Sequence, residues 1–358
     1  MSDCIYKLSI GQWNICGAEN KITEPDVIRK LNNHDIVILS ETFLQTHSIQ
    51  LDGYKCKNVF RSGKKKKATR NYAGISVLIK NNLTQFIKTV KVTREDFIWV
   101  RISKNLTGFD RDTYCCCAYI PPRGSPYYKN NPELDLFDLL SDDISTFSRL
   151  GHIMITGDLN SSIGLKPETL TLDDFNRHTD SPESMNEIWA PRRCSIDTKT
   201  TTWGNKLIDV CTAHNICLLN GRKLGDFEGR CTYFGRTSSA IDVTIVDRDI
   251  FSHTLAFQVH PLTEFSDHCP IETILACKPQ NIDFNDPCVE KIIFDKYVWN
   301  KETSLDKLTS AMSAPDFINL KRKILETNYP PCKSGCDQFS EAVYKLTKFL
   351  HEKCCDKK

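Results

Sequence analysis

His152-Ile153-Met154-Ile155-Thr156-Gly157-Asp158-Leu159-Asn160 is the stretch on which the reading of this 358-residue chain turns. A short apolar run bounded by glycine and polar residues fits a buried strand over His152–Thr156. That strand delivers a carboxylate and an amide at its end. The same arrangement recurs along the chain. Leu8–Trp13 leads to Asn14, Ile36-Val37-Ile38-Leu39 leads to Glu41, and Cys115-Cys116-Cys117-Ala118 leads to Tyr119. Asp242 enters the strand Ile241–Val246, and Ser266-Asp267-His268 stands just before Cys269-Pro270-Ile271. Buried strands that end in ionisable groups collect those groups on one rim of a sheet. A fold has no need of this repetition, whereas a metal-assisted acid/base site does.

Further strands are expected at Ala73–Ile79, Phe97–Ile102, Tyr114–Tyr119, Ile216–Leu219 and Pro270–Ala276. Ala73–Ile79 and Phe97–Ile102 read as hairpin-like neighbours, with Asn81-Asn82 as a turn signal after the first. Helical patterns intervene. Thr23 can cap a helix with Pro25 in its first turn running toward Leu31. Glu133–Phe147 carries apolar residues at helical spacing, and Leu207–His214 reads as a further short helix. Hairpins mixed with helical crossovers argue for two mixed sheets packed face to face with helices outside, an α/β architecture. After Lys278-Pro279 strands largely vanish and helical spacing dominates: Ser304–Met312, Pro315–Thr327 and Gln338–Lys353, with Pro330-Pro331 between the last two. The expected organisation is a catalytic domain over 1–278 and a helical extension over 279–358.

Hydrophobic content of 40% and charged content of 26% place the chain among ordinary soluble domains. A net charge of +2 means that attraction to a polyanion must be local. Seventeen cysteines are an odd count, and three are consecutive in a strand, where neighbours point to opposite faces. Together with no signal-like start and no membrane-length apolar stretch, this reads as reduced thiols in a nuclear or cytoplasmic protein. The one concentrated basic segment runs from Arg61 to Arg70. Lys64, Lys65 and Arg70 suit phosphate contacts, though a solvated loop or an import-like run fits the same residues. Arg123, Arg192, Arg193, Arg222 and Arg230 are loop candidates for the same surface. Cys332, Cys336, His351, Cys354 and Cys355 have the loose spacing of helix-surface thiols more than that of a zinc site.

The chemistry of the strand ends is specific. Asp158 suits proton abstraction from water and Asn160 suits donation to a developing oxyanion, although Gly-Asp-Leu-Asn is also turn-forming. His268 suits contact with a transferring phosphoryl group, with Asp242 fixing its tautomer. Glu41, at the end of an apolar strand, is costly to bury unless paired or metal-bound, and a hard oxygen ligand suits Mg²⁺ or Mn²⁺. Asn14 sits where the first strand would deliver it beside Glu41.

The order Trp13-Asn14, Ser40-Glu41-Thr42, Tyr119-Ile120-Pro121, Gly157-Asp158-Leu159-Asn160, Ser239–Asp242 and Ser266-Asp267-His268-Cys269-Pro270-Ile271 resembles the endonuclease/exonuclease/phosphatase superfamily. Within it, Leu219-Asn220-Gly221-Arg222, Gly225-Asp226-Phe227-Glu228-Gly229 and Thr232-Tyr233 look most like the apurinic-endonuclease-like domain of non-LTR retrotransposons. The resemblance implies a four-layer α/β sandwich over roughly residues 5–277 and a divalent-metal phosphodiesterase. It implies that Glu41 holds the metal, with Asn14 and Asp267 nearby, and that Asp158 activates water. Asn160 and Tyr119 would stabilise the pentacovalent state, and His268, backed by Asp242, would contact the scissile phosphate. The implied activity is nicking of duplex DNA to leave a 3′-hydroxyl, with a reverse transcriptase in trans as the implied partner, since no polymerase signature occurs in the chain. An inositol or lipid phosphatase and a decayed nucleic-acid-binding module are the alternatives. Two positions depart from the pattern. Cys16 stands where repair relatives carry Asp, and a thiol is a poor ligand for a hard cation. Pro122 stands where they tend to carry Asn.

Overall fold

A computed structural model describes residues 5–45, 48–61, 73–168, 190–279, 297–298, 304–327, 329, 333–354 and 356–357. The chain divides into two compact units, Ile5–Lys291 and Ile292–Lys358. In the first, fourteen strands are described: β1 Tyr6–Asn14, β2 Ile36–Ser40, β3 Tyr54–Val59, β4 Ile75–Lys80, β5 Ile87–Thr93, β6 Phe97–Ile102, β7 Asp112–Tyr119, β8 Gly151–Asp158, β9 Cys217–Leu218, β10 Tyr233–Phe234, β11 Ser238–Ser239, β12 Asp242–Val246, β13 Thr254–Val259 and β14 Ile271–Cys277.

Twelve of them build two six-stranded sheets, in the orders β13-β14-β1-β2-β4-β3 and β5-β6-β7-β8-β12-β9. Each sheet has one parallel pair near its centre, β1 with β2 and β7 with β8, and every other pairing is antiparallel. Residues that alternate along the strands sort into layers. Leu8, Ile10, Ile36, Ile38 and Val77 of one sheet meet Val100, Cys115, Cys117, Met154 and Val246 of the other in a common core. The opposite parity of the second sheet (Phe97, Trp99, Cys116, Ile155) packs on the helices Leu136–Phe147 and Thr202–His214. Trp13, Val37 and Leu39 of the first sheet pack on Val27 and Leu31 of the helix Pro25–Asn32. The result is the expected four-layer sandwich, helix–sheet–sheet–helix.

The helices start where local chemistry lets them. Asp135 caps Leu136–Phe147 by accepting the Phe137 N–H, and Thr201 caps Thr202–His214 by accepting the Gly204 N–H. The Thr201 cap starts that helix five residues before the expected Leu207. Thr23 is not the cap of the first helix. Glu24 holds that place without a side-chain bond, while the Thr23 hydroxyl donates to the Asn20 carbonyl.

The expected Ala73–Ile79/Phe97–Ile102 hairpin is also corrected. β4 pairs with β2 and β3, whereas β6 pairs with β5 and β7 in the other sheet. Buried Cys115, Cys116, Cys117, Cys211 and Cys217 are free thiols, in line with an uncrosslinked core. In the second unit the helices are Ser304–Met312, Pro315–Glu326 and Lys333–Cys354. Cys332 and Cys355 lie outside the described residues. Among the described residues no helix is long and apolar enough to cross a membrane.

Candidate active site

The inter-sheet core changes character along its strands. In β1 the inward stripe Leu8, Ile10 continues as Gln12 and Asn14; in β8, Met154 continues as Thr156 and Asp158. β12 runs the other way, from Asp242 through Thr244 to Val246. Thr156, Thr244 and Thr273 form a buried hydroxyl ladder, with oxygens 2.9 and 3.2 Å apart, between the apolar half and the acidic half. Strand parity and register therefore assemble the site. Tyr119, Asp158 and Asp242 lie side by side on β7, β8 and β12, and Asn14 is opposite Ser40. Gly157 permits the close approach of β7 to β8, since a Cβ there would lie 1.9 Å from the Ala118 carbonyl oxygen.

Asp158 is at the centre and is 1% exposed. Its Oδ1 accepts the Asn160 N–H at 3.0 Å and its Oδ2 accepts the Asn14 amide at 2.9 Å. The His268 Nε2 lies 4.0 Å from the same Oδ2. On the far side of the ring, His268 Nδ1–H donates to Asp242 Oδ2 at 2.7 Å, and the Gln12 amide donates to Asp242 Oδ1 at 3.3 Å. The Tyr119 hydroxyl donates to Glu41 Oε1 at 2.6 Å. Glu41 follows the last residue of β2, and alternation alone would turn it away from the core. Its φ of 50° breaks the alternation and brings the carboxylate to Tyr119. Cys16 and Asn160 hold the same left-handed conformation, at φ 50° and 49°, so three rim residues carry backbone strain that the surroundings must hold in place.

Burial, then the Asp242 carboxylate, push Asp158 up to about 8, with Glu41 adding to the rise and His268 and Asn14 opposing it. Burial alone would lower His268, but Asp242, Asp158 and Asp267 outweigh it and hold the imidazole at about 10, so the ring is a cation at neutral pH. Burial, then Glu41 and Asp158, keep the Tyr119 phenol protonated. The rim thus gathers the oxygens of Asp158, Asp242 and Glu41 around one imidazolium, and a cation among them would favour the ionised form of Asp158. That excess of hard oxygen donors fits a divalent cation. Asp158, Asp242 and His268 also place three ligand atoms within 4.8 Å of one another, yet the hydrogen bond between two of them makes this trio a poorer cradle than the half-buried Glu41.

The structure brings Asn14, Glu41, Tyr119, Asp158, Asn160, Asp242 and His268 together. Asn14 is fully buried, its Oδ1 accepting the Cys16 N–H at 3.1 Å while its amide holds Asp158. At Cys16 the backbone N–H is what meets the site. The Asn160 side chain is tied to the Ile120 carbonyl at 3.0 Å. Asp267 is exposed, and it acts on His268 through its charge. Lys64, Lys65 and Arg70 lie outside the described residues.

Arg222 is a correction. It is buried and its Nη1 pairs with the fully buried Glu168 and also donates to the Leu218 carbonyl at 2.8 Å, while its Nε donates to the Pro191 carbonyl at 2.6 Å. Arg193 is buried beside it, 3.9 Å from Glu168. Both arginines therefore hold loops together and do not face a phosphate. Arg123 and Arg192 remain exposed. Arg222→Leu leaves the buried Glu168 carboxylate with the Leu218 N–H at 3.1 Å and, as its charged partner, Arg193 at 3.9 Å, so a loss of about 3–5 kcal/mol is expected in denaturant melts. The salt dependence of DNA binding should stay unchanged; a shallower slope with intact stability would restore the phosphate-contact reading.

Several contributors escaped the sequence reading. Gln12 steadies Asp242. The Trp13 indole donates to the His268 carbonyl at 3.0 Å, the Ser266 hydroxyl donates to the Asn14 carbonyl at 2.6 Å, and Tyr233 lies with its ring 4.8 Å from that of His268. The parity of β1 was the signal for Gln12. Tyr233 stands in the Thr232-Tyr233 motif, but nothing local to it announces the contact with His268.

A buried carboxylate, an imidazolium and an acidic rim at the ends of two facing sheets define a site of the phosphoester-hydrolysing class. The chain belongs to the endonuclease/exonuclease/phosphatase family, whose profile matches residues 11–268. Its members are hydrolases acting on phosphodiester bonds. No curated protein matches the sequence. The fold is shared with the AP endonuclease LMAP from Leishmania major, at a TM-score of 0.55 and 13% identity over 76% of this chain and 88% of that one. It is also shared with the catalytic domain of Xenopus laevis APE2, at 0.52 and 15% over 77% and 94%. The endonuclease domain of TRAS1, a telomere-specific non-LTR retrotransposon, aligns at a TM-score of 0.47 and 12% identity over 76% of this chain and 99% of that one.

Proposed function

We propose that this protein is a divalent-metal-dependent endonuclease that nicks duplex DNA and leaves a 3′-hydroxyl and a 5′-phosphate. The observation that carries the reading is Asp158, buried between the Asn14 amide at 2.9 Å and the His268 imidazolium at 4.0 Å, within one strand of the Tyr119–Glu41 pair. Glu41 is the residue to hold Mg²⁺ or Mn²⁺, with the remaining lone pair of Asn14 Oδ1 and the exposed Asp267 carboxylate as further oxygen donors. A bound cation supplies positive charge for the phosphoryl oxygen and the departing 3′-oxygen. Asp158, in the ionised form that positive charge from a bound cation would favour, orients water for in-line attack and takes its proton as the new P–O bond forms and the P–O3′ bond breaks. His268 donates from Nε2 to a phosphoryl oxygen, with Asp242 holding the ring protonated and aimed. Asn160, tethered to Ile120, and the Tyr119 phenol donate to the charge that builds on phosphorus oxygens.

DNA as substrate is supported by the fold shared with a protein named as an AP endonuclease and by the basic residues between Lys64 and Arg70 in the sequence; the side chain of Arg61, before them, is buried and paired with Asp96. The retroelement-like Asn220-Gly221-Arg222 supports target opening for a reverse transcriptase as the wider role. In the structure Asn220 ties Asp242 and Thr244, donating to the Asp242 carbonyl at 3.1 Å and accepting the Thr244 N–H at 3.2 Å. A supercoiled-plasmid assay tests the reading. Nicking is expected with Mg²⁺, to disappear with chelator, and to return with added Mg²⁺ or Mn²⁺. Nicking that survives chelation contradicts the metal requirement. Turnover of inositol phosphates with intact plasmid contradicts the substrate, and duplex binding with turnover of neither supports a decayed binding module.

A further inference from the structure

At the other end of β8 and β12 lies a second cluster of metal-ligating groups that the nuclease reading does not use. His152, the second residue of β8, is 1% exposed. Its Nε2 meets the Asp110 carboxylate at 2.6 Å. Its Nδ1 has no hydrogen-bond partner, yet it points at two carboxylate oxygens, Asp247 Oδ2 at 3.4 Å and Asp249 Oδ2 at 3.5 Å. The three ligand atoms lie within 4.8 Å of one another. Asp247 is rigidly placed, because its Oδ2 accepts the Ile153 N–H at 2.8 Å and its Oδ1 the Ile250 N–H at 2.9 Å. Phe109 covers the imidazole edge-on, with ring centroids 5.9 Å apart.

The spacing is informative. Two ligands of a tetrahedral Zn²⁺ site, bonded at about 2.0–2.1 Å, lie roughly 3.3–3.4 Å apart along the tetrahedral edge. The observed separations of 3.4 and 3.5 Å match that edge and are poor for direct hydrogen bonds. Asp110 completes the pattern, since a metal-bound histidine donates its other ring N–H to a carboxylate, which fixes the tautomer and leaves the ligating nitrogen unprotonated.

We propose that His152 Nδ1, Asp247 and Asp249 form a binding site for a divalent transition cation of the Zn²⁺ type, with solvent as the remaining ligand. One imidazole beside carboxylates favours such an ion over Mg²⁺. The site is separate from the catalytic rim: His152 and Asp158 are six residues apart on one strand, about 20 Å at ~3.3 Å per residue. A cation there clamps β8 to the segment after β12 and to the loop that carries Asp110.

The test is calorimetric titration of Zn²⁺ into the full chain with millimolar Mg²⁺ present. One equivalent is expected to bind at micromolar affinity or better and to raise the melting temperature by about 5 °C. That equivalent should persist in Glu41→Gln, which separates it from the catalytic rim. Asp249→Asn and Asp110→Asn alter exposed carboxylates, so the fold is retained, and each should weaken Zn²⁺ binding about 10–100-fold. No equivalent beyond the one abolished by Glu41→Gln, or an affinity indifferent to both aspartate variants, would overturn the site and leave His152 as a buried imidazole among carboxylates. Neither result depends on whether the protein cuts DNA.

Discussion

Asp158→Asn lowers plasmid nicking by about 10³–10⁴-fold while duplex binding and the melting temperature hold. The amide keeps an oxygen for the Asn160 N–H, gives up the bond accepted from the Asn14 amide, and cannot take a proton from water. Stability should not suffer, and the sign follows from the raised pKa. An aspartate near 3.9 in the unfolded chain and about 8 in the fold costs folding energy that grows as pH rises from about 4 to 8. Neutral Asn removes that cost and relieves the repulsion from Asp242 and Glu41. Loss of activity with an equal or higher melting temperature at pH 7.5 is therefore expected. Retained nicking would show that proton transfer runs through another group.

His268→Gln lowers nicking by about 10²–10³-fold, the range seen when one donor to a developing oxyanion is removed. On the proposed mechanism Asp242 is a positioning residue that acts through the His268 Nδ1–H bond of 2.7 Å. Asp242→Asn alone should thus cost a similar factor, and the double variant little more than His268→Gln alone. A kcat measured at saturating DNA is the readout. Fully additive losses would mean that Asp242 has a separate task, with direct metal ligation through the Asp158–Asp242–His268 trio the obvious one.

The central strands were legible because they are buried on both faces and read as continuous apolar runs. β2 and β6 fall at the expected residues, and β7, β8, β12 and β14 within two residues at either end. The three longer strands that went unseen, β3, β5 and β13, are all sheet edges. Tyr54-Lys55-Cys56-Lys57-Asn58-Val59 has one solvated face, and the middle of β5 is exposed throughout, so neither carries a buried-strand signature. Overlooking β5 also produced the false hairpin between β4 and β6.

The site was legible for a related reason. Polar residues that continue an inward apolar stripe must end up together at the rim, as Asn14, Tyr119 and Asp158 do. Glu41 is different, because its place depends on a left-handed backbone at the strand end, and nothing in Ser40-Glu41-Thr42 announces that. Arg222 failed in the opposite direction. A loop arginine in a motif with glycine looked solvent-facing, but its partner Glu168 is 54 positions away in sequence and completely buried. Long-range ion pairs of this kind leave no periodic trace.

The most direct measurement is anomalous diffraction from crystals soaked in Mn²⁺. The strongest peak should be bonded to a Glu41 carboxylate oxygen on the rim shared with Asp158, and it should vanish in Glu41→Ala. A Mn²⁺ ion held by Asp158, Asp242 and His268 with Glu41 uninvolved, or found only beside His152 at the far end of the sheet, would contradict the assignment of the metal to the strand-end rim.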